Sequence, residues 1–446
     1  MSRSTVGAMP ALPEPATDPD APEPQLAVSS TDTPTQTLLV TLSGDDRPGV
    51  TRTLFAALAD FPLVVLDVEQ LVVRGRLVLA VLVGIDPDAG IHDPGNVLMR
   101  VRTAMRHVAA AVDMDVVTVP GAGEAVTRRP DRLEVTVLGS PLRPQAVTRV
   151  AMEIADRGGN IDRIRRIAAY PVTAIAFEGS GADVGDLRRA LARSATTLGV
   201  DIAVQEPGLD RRGQHLIVMD VDSTVIQDEV IDLLADEAQV GDEVARITAA
   251  AMSGQVDFEA SLRQRVALLA GLPVARLEAV RQRITLTPGA RTLCRTLRRL
   301  GYRVCLVSGG FIDVIAPIAQ DLEVDGVLAN RLAIRDGRLT GELLGPVVDR
   351  VGKRRALESF ADQFQIPMRR TIAIGDGAND VDMLEAAGLG IAFNGKAPAR
   401  DAADAALSVP YLDSVLFLLG ITREEIERAD AEDAGSSAPD RLPVTS

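Results

Sequence analysis

Apolar residues recur along this chain with two spacings, one typical of strands and one typical of helices. Over residues 36–120 the spacing predicts, in order, a strand, a helix, two strands, a helix and a strand. The same order returns over residues 131–206. Each segment therefore predicts an α+β domain of βαββαβ order, ferredoxin-like, with two helices on one face of an antiparallel sheet. The repetition indicates a tandem duplication.

Over residues 214–424 the pattern changes to apolar strands that alternate with amphipathic helices. Continuous apolar runs of strand length are typical of parallel strands covered on both faces. The segment therefore predicts an α/β domain with a Rossmann-like, doubly wound parallel sheet. Residues 228–286 are an exception, because their spacing predicts helices and no strand. We expect them to form an inserted helical cap over the carboxyl edge of the sheet.

The two ends of the chain lack these patterns. Residues 1–35 and 430–446 are rich in Pro, Ala and acidic residues, and they bury too little apolar area to order themselves, so both are predicted to be disordered.

The composition of the chain argues against some classes of partner. A net charge of -15 argues against nucleic acid or an anionic membrane as the main partner. No apolar run is long enough to span a bilayer, and the start lacks the pattern of a secretory signal. The two cysteines, Cys294 and Cys305, give no disulfide framework and are predicted to be buried thiols. We therefore expect a cytoplasmic protein.

The first candidate for chemistry follows the strand Leu216–Met219. This apolar run leads into Asp220 and Asp222, and open α/β sheets bind ligands at the carboxyl ends of their strands. Two acids at such an end suit a carboxylate nucleophile with a neighbouring acid/base. The alternative is a loop whose acid caps a helix, which is common because Asp-x-Asp is a short pattern.

Two further groups suit an anion. A strand ends in Ser308 and Gly309, where a hydroxyl and exposed backbone N–H groups favour a phosphate. Lys353 opens a predicted helix, and a cation at that end opposes the helix dipole unless an anion offsets it. Taken singly, these are also the features of an ordinary turn and of a solvated basic cluster.

A second acidic group follows the predicted strand Thr371–Ile374. Asp376 and Asp380 stand in a Gly-rich turn and are expected at the same edge of the sheet as Asp220. Carboxylates from adjacent strand ends form a hard, oxygen-lined site, which suits Mg²⁺. A zinc site is not expected, because the three histidines lie outside these groups.

Together, and in this order, the four groups resemble the four motifs of the haloacid dehalogenase-like phosphohydrolases, and the resemblance covers residues 214–424. The cap, with Glu229 followed by Met252, Phe258 and Arg265, resembles that of the phosphoserine phosphatases within the family. Without the resemblance, Glu229 and Arg265 are more typical of an exposed helix ion pair, and Met252 and Phe258 of cap core.

The resemblance implies hydrolysis of O-phospho-L-serine to L-serine, the last step of serine biosynthesis, through an aspartyl-phosphate. It implies Asp220 as nucleophile and Asp222 as general acid/base. It implies Mg²⁺ held by Asp220, Asp222 through its main-chain carbonyl and Asp376, with Asp380 acting through water. It also implies substrate binding by Glu229, Met252, Phe258, Arg265, Ser308, Gly309, Lys353 and Asn379.

The first repeat resembles an ACT domain in the turn Asp45–Val50, which carries a Pro-Gly step before the helix. The second repeat has Ser140–Pro144 there and lacks that step. The resemblance implies a homodimer and an amino-acid effector, serine, although packing modules without a ligand fit equally well. Two functions remain as alternatives: a phosphatase or phosphotransferase for another small phosphomonoester, and an amino-acid-sensing regulator.

Overall fold

The computed structural model describes residues 36–122, 131–206, 215–252 and 257–436. The described residues fall into two compact units, which divide after Arg128. The N-terminal arm predicted to be disordered lies outside the described residues. None of the helices in these ranges combines the length and the apolar character that a membrane span requires.

The first unit is an α+β domain whose four-stranded antiparallel sheet has the order β2-β3-β1-β4. Its elements are β1 (Gln36–Asp45), α1 (Val50–Leu58), β2 (Leu63–Val73), β3 (Arg76–Ile85), α2 (Pro94–Val112) and β4 (Asp115–Ala122). Alternate residues of β3, such as Leu79 and Val81, are fully buried against the two helices. The Asp93 side chain accepts the Asn96 N–H and Pro94 follows it, which fixes the start of α2.

The second unit begins with a domain of the same element order. Its elements are β5 (Arg132–Gly139), α3 (Pro144–Ala155), β6 (Asn160–Ala168), β7 (Thr173–Ser180), α4 (Val184–Leu198) and β8 (Asp201–Gln205). Its strands lie in the order β8-β5-β7-β6, the same arrangement as in the first unit.

The rest of the second unit is a doubly wound α/β domain. It contains β9 (Leu216–Asp220), α5 (Val230–Glu237), α6 (Gly241–Met252), α7 (Phe258–Ala267), α8 (Ala275–Arg283), α9 (Ala290–Arg299), β10 (Arg303–Phe311), α10 (Ile312–Asp321), β11 (Gly326–Arg335), β12 (Arg338–Leu344), α11 (Arg350–Phe364), β13 (Thr371–Gly375), α12 (Val381–Ala386), β14 (Leu389–Phe393), α13 (Ala397–Ala402), β15 (Ala405–Leu407), α14 (Val415–Leu418) and α15 (Arg423–Ser436). The strands β11-β10-β9-β13-β14-β15 are parallel, and β12 adds an antiparallel edge that the sequence did not predict.

Helices α5 to α8 form the inserted cap. The two chain segments that enter and leave it pair with each other, since Gln227 N donates to Thr285 O and Thr287 N donates to Val225 O, both at 2.9 Å. Buried residues of α5, α7 and α8, including Leu234, share one hydrophobic core with buried residues of the sheet strands. The cap is therefore packed on the carboxyl edge of the strands.

The two domains of the second unit share one eleven-stranded sheet. Strand β8 pairs with β15 at Ala203 and Ala405, and this pairing joins two sheets that the sequence treated as separate. The joint is reinforced by Arg188, whose Nη1 donates to Asp404 Oδ1 at 2.7 Å, and by Ser408, whose N–H donates to Asp201 Oδ2 at 2.8 Å. The unpaired backbone groups of an edge strand can pair with another strand. At this junction, β8 pairs with the edge that β15 would otherwise expose.

The C-terminal tail begins later than predicted. Disorder was expected from Asp430, and the α/β domain was expected to end at residue 424, but α15 runs through to Ser436. Asp430 accepts from Arg295 at 2.5 Å and from Arg299 at 2.7 Å, and both arginines belong to α9. These contacts and the buried Ile426 hold a helix that composition alone did not indicate. Residues 437–446 lie outside the described residues.

Candidate active site

Asp220 is the last residue of β9, the strand paired with β10 on one side and β13 on the other, and Asp222 lies in the turn that follows. Ser223 has a left-handed φ of 58°, which turns the chain sharply at Val221–Val225. Asp222 is fixed by two donors, the Val230 N–H at 2.8 Å and the Ser308 hydroxyl at 2.7 Å. Its carboxyl group is therefore held in place by the strand β10 and by the start of the cap.

Lys353 joins two of the acids. Its Nζ lies 2.7 Å from Asp220 Oδ1 and 2.7 Å from Asp380 Oδ1, and its side chain is only 1% exposed. The lysine reaches this position from the first turn of α11, where the Asp349 side chain accepts the Gly352 N–H. A buried cation between two buried carboxylates is the central contact of the site.

The turn after β13 is built around Asp380. Its Oδ2 accepts the N–H groups of Asp376 at 3.1 Å and Gly377 at 3.0 Å. Gly375 makes this approach possible, because a Cβ there would lie 2.3 Å from the Asp380 Cγ. Asp376 is thereby presented at the strand end beside Asp220.

In this site, several carboxylates lie close to one buried lysine. Burial and the neighbouring Asp380 carboxylate raise the pKa of Asp220 well above its usual range, and burial raises the pKa of Asp222 and of Asp376. Burial opposes the charge of Lys353, but the Asp220 and Asp380 carboxylates outweigh it and raise the lysine pKa. Several crowded carboxylates thus face one buried ammonium, and further positive charge would stabilise them.

The acids fit a hard divalent cation. Oxygen atoms of Asp220, Asp376 and Asp380 lie within 4.8 Å of one another, and all three residues are buried. An all-oxygen donor set of this kind suits Mg²⁺ better than zinc.

A cavity of about 490 Å³ lies between these acids and the cap. Its lining includes five of the residues predicted to bind substrate and both catalytic candidates, namely Asp220, Asp222, Glu229, Phe258, Arg265, Gly309 and Asn379. A Cβ at Gly309 would lie 3.4 Å from the Phe258 ring, an ordinary van der Waals distance, so the two residues are neighbours in this lining.

Glu229 and Arg265 bring opposite charges to the cap side of the cavity. Burial, followed by the nearby Asp222 carboxylate, raises the pKa of Glu229 to about 7, and the Ser223 hydroxyl donates to Glu229 Oε1 at 2.8 Å. Burial lowers the pKa of Arg265, while Asp232 and Glu229 oppose that effect. An acid and a guanidinium held apart in one cavity suit a zwitterionic ligand.

Two predicted residues whose side chains are described, Ser308 and Lys353, do not belong to this cavity lining. Ser308 is buried, and its hydroxyl donates to Asp222 and accepts the Gly310 N–H at 2.7 Å. Lys353 lies below the cavity among the acids. Met252 ends α6, but its side chain lies outside the described residues.

Lys396 was missed by the sequence reasoning. It lines the cavity, its Nζ lies 3.2 Å from Asp376 Oδ2, and its N–H donates to Asp376 O at 2.8 Å. The available signal was the sequence after the apolar strand β14, because Phe393 is followed by Asn394-Gly395-Lys396, another polar turn at the same sheet edge.

Family models match the chain in three places. A model of the haloacid dehalogenase-like hydrolases matches residues 217–385, and models of the ACT domain match residues 36–118 and 133–205. A doubly wound sheet with acids at its strand ends and an inserted cap defines the same class, a haloacid dehalogenase-like hydrolase. The predicted fold class is thereby confirmed.

Known relatives indicate which family of this class the chain resembles. The phosphoserine phosphatase of Streptomyces coelicolor is 52% identical over 411 residues, which cover 92% of this chain and 98% of the relative. The phosphoserine phosphatase of Mycobacterium tuberculosis is 50% identical, covering 89% of this chain and 96% of the relative. The crystal structure of a probable phosphoserine phosphatase from Vibrio cholerae has a TM-score of 0.53 at 32% identity, covering 66% of this chain and 88% of that one. The chain belongs to the phosphoserine phosphatase family.

Proposed function

We propose that this chain hydrolyses O-phospho-L-serine to L-serine and phosphate. The observation that carries the proposal is the cavity, which has a nucleophile and an acid at its base and Glu229 and Arg265 on its cap side. Phosphoserine carries a phosphate at one end and an ammonium and a carboxylate at the other. The distribution of charge in the cavity matches that of the ligand.

In the first chemical step, an Asp220 carboxylate oxygen attacks phosphorus. A P–O bond forms to Asp220, the ester P–O bond breaks, and the leaving serine oxygen takes a proton from Asp222. The raised pKa of Asp222 supports this role, because burial favours the protonated form. Water then attacks phosphorus and gives up a proton to Asp222. The P–O bond to Asp220 breaks, which restores the Asp220 carboxylate and releases phosphate.

Lys353 and the phosphate-binding groups stabilise the charge that develops on the phosphoryl oxygens. Lys353 holds Asp220 in place through a 2.7 Å contact, and we assign Gly309 and Asn379 to the phosphate because both line the cavity. Ser308 acts with them by holding Asp222. Asp220, Asp376 and the Asp222 main-chain carbonyl would hold Mg²⁺, with Asp380 acting through water. When bound, Mg²⁺ supplies positive charge that neutralises the phosphoryl group.

Arg265 binds the substrate carboxylate and Glu229 binds the ammonium. A bidentate guanidinium–carboxylate pair is strong and directional, which makes Arg265 the main determinant of selectivity. Phe258 covers the short methylene group and excludes water. The side chain of Met252, for which the resemblance implies the same role, lies outside the described residues.

A panel of phosphate esters tests the proposal. We expect O-phospho-L-serine to be hydrolysed with a kcat/KM at least about a hundredfold above that of p-nitrophenyl phosphate, in a Mg²⁺-dependent manner. Arg265→Ala should reduce activity on phosphoserine about a hundredfold and activity on p-nitrophenyl phosphate less than about threefold. Faster hydrolysis of another phosphomonoester would favour the alternative substrate. If the chain released phosphate from none of these esters, the amino-acid-sensing regulator would be the remaining alternative.

We also propose that the protein is a homodimer joined through the first unit. The edge strand β2 exposes apolar side chains, with Val65 at 52%, Leu71 at 60% and Val73 at 55% exposure. Such an edge pairs readily with a second copy. Leu71→Lys should yield a monomer in analytical ultracentrifugation, and a dimer that persists would contradict this interface.

Serine is the proposed effector of the ACT-like domains. The helix α1 begins after Gly49, which has a φ of 96°, so backbone N–H groups of its first turn are open to an anionic group. Calorimetry on the full chain carrying Asp220→Asn and Arg265→Ala, with the active site disabled, should record saturable serine binding. Absence of a binding heat would make both domains packing modules.

A further inference from the structure

The hairpin formed by β11 and β12 contacts the cap directly, although it lies outside the acidic site. Three backbone hydrogen bonds of 2.8, 2.9 and 2.9 Å join its turn to the loop between α7 and α8, namely Gly271 N to Leu339 O, Leu339 N to Leu272 O, and Val274 N to Gly337 O. Arg338 adds a fourth, because its Nη1 donates to Gly271 O at 2.7 Å. The loop and the hairpin thus form a short antiparallel contact.

The side of β12 also packs closely against α7. Gly341 has a φ of +85°, and a Cβ there would lie 3.0 Å from the Ala270 Cβ and 3.1 Å from the Ala267 carbonyl oxygen. Real Cβ atoms rarely approach other atoms so closely, because interiors are packed to crystal-like density. A side chain at position 341 therefore has to move the end of α7.

The end of α7 bears on substrate binding. Arg265 is two residues before Ala267 in the same helix, and Phe258 is its first residue. Leu262 and Val266 of α7 lie in one buried core with Leu339 of the hairpin. The helix that carries three of the cavity residues is thus held on the hairpin by close contact, by shared core and by the hydrogen bonds of the loop that follows it.

We propose that the β11–β12 hairpin is a positioning element that fixes α7, and with it Arg265, and so sets the selectivity of the site for substrates that carry a carboxylate. The inference rests on the proposed function, because it takes Arg265 as the carboxylate-binding group. Gly341 and Arg338 touch no substrate in this account and act only through α7.

Gly341→Ala tests the proposal, with O-phospho-L-serine and p-nitrophenyl phosphate as the two substrates. We expect the KM for phosphoserine to rise about tenfold, with kcat and the activity on p-nitrophenyl phosphate changed less than about twofold, because a small displacement of a binding group weakens what it binds. Arg338→Met, which removes one hydrogen bond and adds no atom near α7, should act in the same direction. It also supplies the measurement if Gly341→Ala does not fold.

Gly345→Ala is the matched control. Gly345 lies just after β12 with a φ of +79°, so alanine meets a comparable backbone strain, but its Cβ would have no atom within 4 Å. This variant should lower the melting temperature without changing the ratio of the two activities.

The outcomes separate this inference from the proposed function. If Arg265→Ala changes the ratio of the two activities and neither hairpin variant does, the positioning role is overturned and the substrate assignment stands. An equal loss on both substrates in the hairpin variants would also overturn it. If Arg265→Ala leaves the ratio unchanged, the substrate assignment itself is wrong.

Discussion

At the scale of single residues, the site depends on a buried lysine surrounded by carboxylates. Asp220 and Asp380 each lie 2.7 Å from the Lys353 ammonium, and all three side chains are almost fully buried. Removing one partner of such a group leaves charge buried without compensation, which costs far more than the net value of the intact pair. The same contacts that organise the chemistry therefore contribute to the stability of the fold.

Lys353→Met should abolish phosphoserine hydrolysis and lower the free energy of unfolding by about 3 kcal/mol or more, because two carboxylates lose their cation. Lys396→Met is the control, since that side chain is 57% exposed and solvent screens its contact with Asp376. It should cost less than about 1 kcal/mol. Urea unfolding measures both, and equal losses would contradict the central place given to Lys353.

Glu229 predicts a dependence on pH. Burial raises its pKa to about 7, so the carboxylate that binds the substrate ammonium is present above that pH and is lost as the pH falls below it. The KM for phosphoserine should therefore rise about tenfold per pH unit below 7, relative to that of p-nitrophenyl phosphate, which has no ammonium. In Glu229→Gln the ratio of the two KM values should not vary with pH. If the ratio in the unmodified protein stayed constant or fell towards acid pH, Glu229 would not be the group that binds the ammonium.

At the scale of elements, the sequence predicts what local patterns determine. The buried strands β9, β10 and β13 were recognisable as apolar runs. Strands β9 and β13 lead into their polar turns at the expected residues, whereas β10 continues through Ser308 and Gly309 to Phe311, because it stays paired with β11. The element order of both α+β domains was also correct, because alternation along a strand and the 3.6-residue helix repeat are local signals. The acids were predicted to meet because parallel strands end at one edge of a sheet.

Long-range contacts explain what the sequence did not predict. Strand β12 exists because β11 offers it an edge and α7 covers it, and neither partner is visible in the spacing of residues 338–344. The helix α15 continues beyond Asp430 because of two arginines that are more than 130 residues away in the chain. Lys396 was missed because a lone lysine after a strand is unremarkable until Asp376 is found 3.2 Å away.

The turn after β13 has little tolerance for a larger residue at Gly375. Gly375→Ala should destabilise the protein by about 2 kcal/mol or more and reduce activity strongly, since its Cβ would overlap the Asp380 carboxylate. Gly241→Ala, in the helix α6, is the comparison, because its nearest atom would be 3.4 Å away and alanine favours a helix. Thermal unfolding and phosphate release measure both variants. A harmless Gly375→Ala would contradict the described packing of this turn.

At the scale of the whole molecule, the second α+β domain and the phosphatase domain form one structural unit. They share the β8–β15 pairing, the Arg188–Asp404 ion pair and a common buried core that includes Leu138 and Phe417. The sequence placed domain boundaries at residues 206 and 214. In the structure, one continuous sheet includes the strands on both sides of these boundaries.

Truncation tests this unity. A chain that begins at Asp131 should remain folded and hydrolyse phosphoserine, because its sheet and core are intact. A chain that begins at His215 should unfold at a lower temperature and aggregate, because the cut exposes β15 and apolar surface that the second α+β domain covers. Equal melting temperatures for the two truncated chains would show that the junction adds no stability.

The most direct test of the account is phosphate release from O-phospho-L-serine by the intact chain and by Asp220→Asn, in the presence of Mg²⁺. We expect Asp220→Asn to lose about 10⁴-fold or more in kcat/KM, with an unchanged circular dichroism spectrum, because asparagine retains the shape of the side chain but is no nucleophile. Activity within about tenfold of the unmodified protein would contradict the assignment of Asp220 and the mechanism built on it.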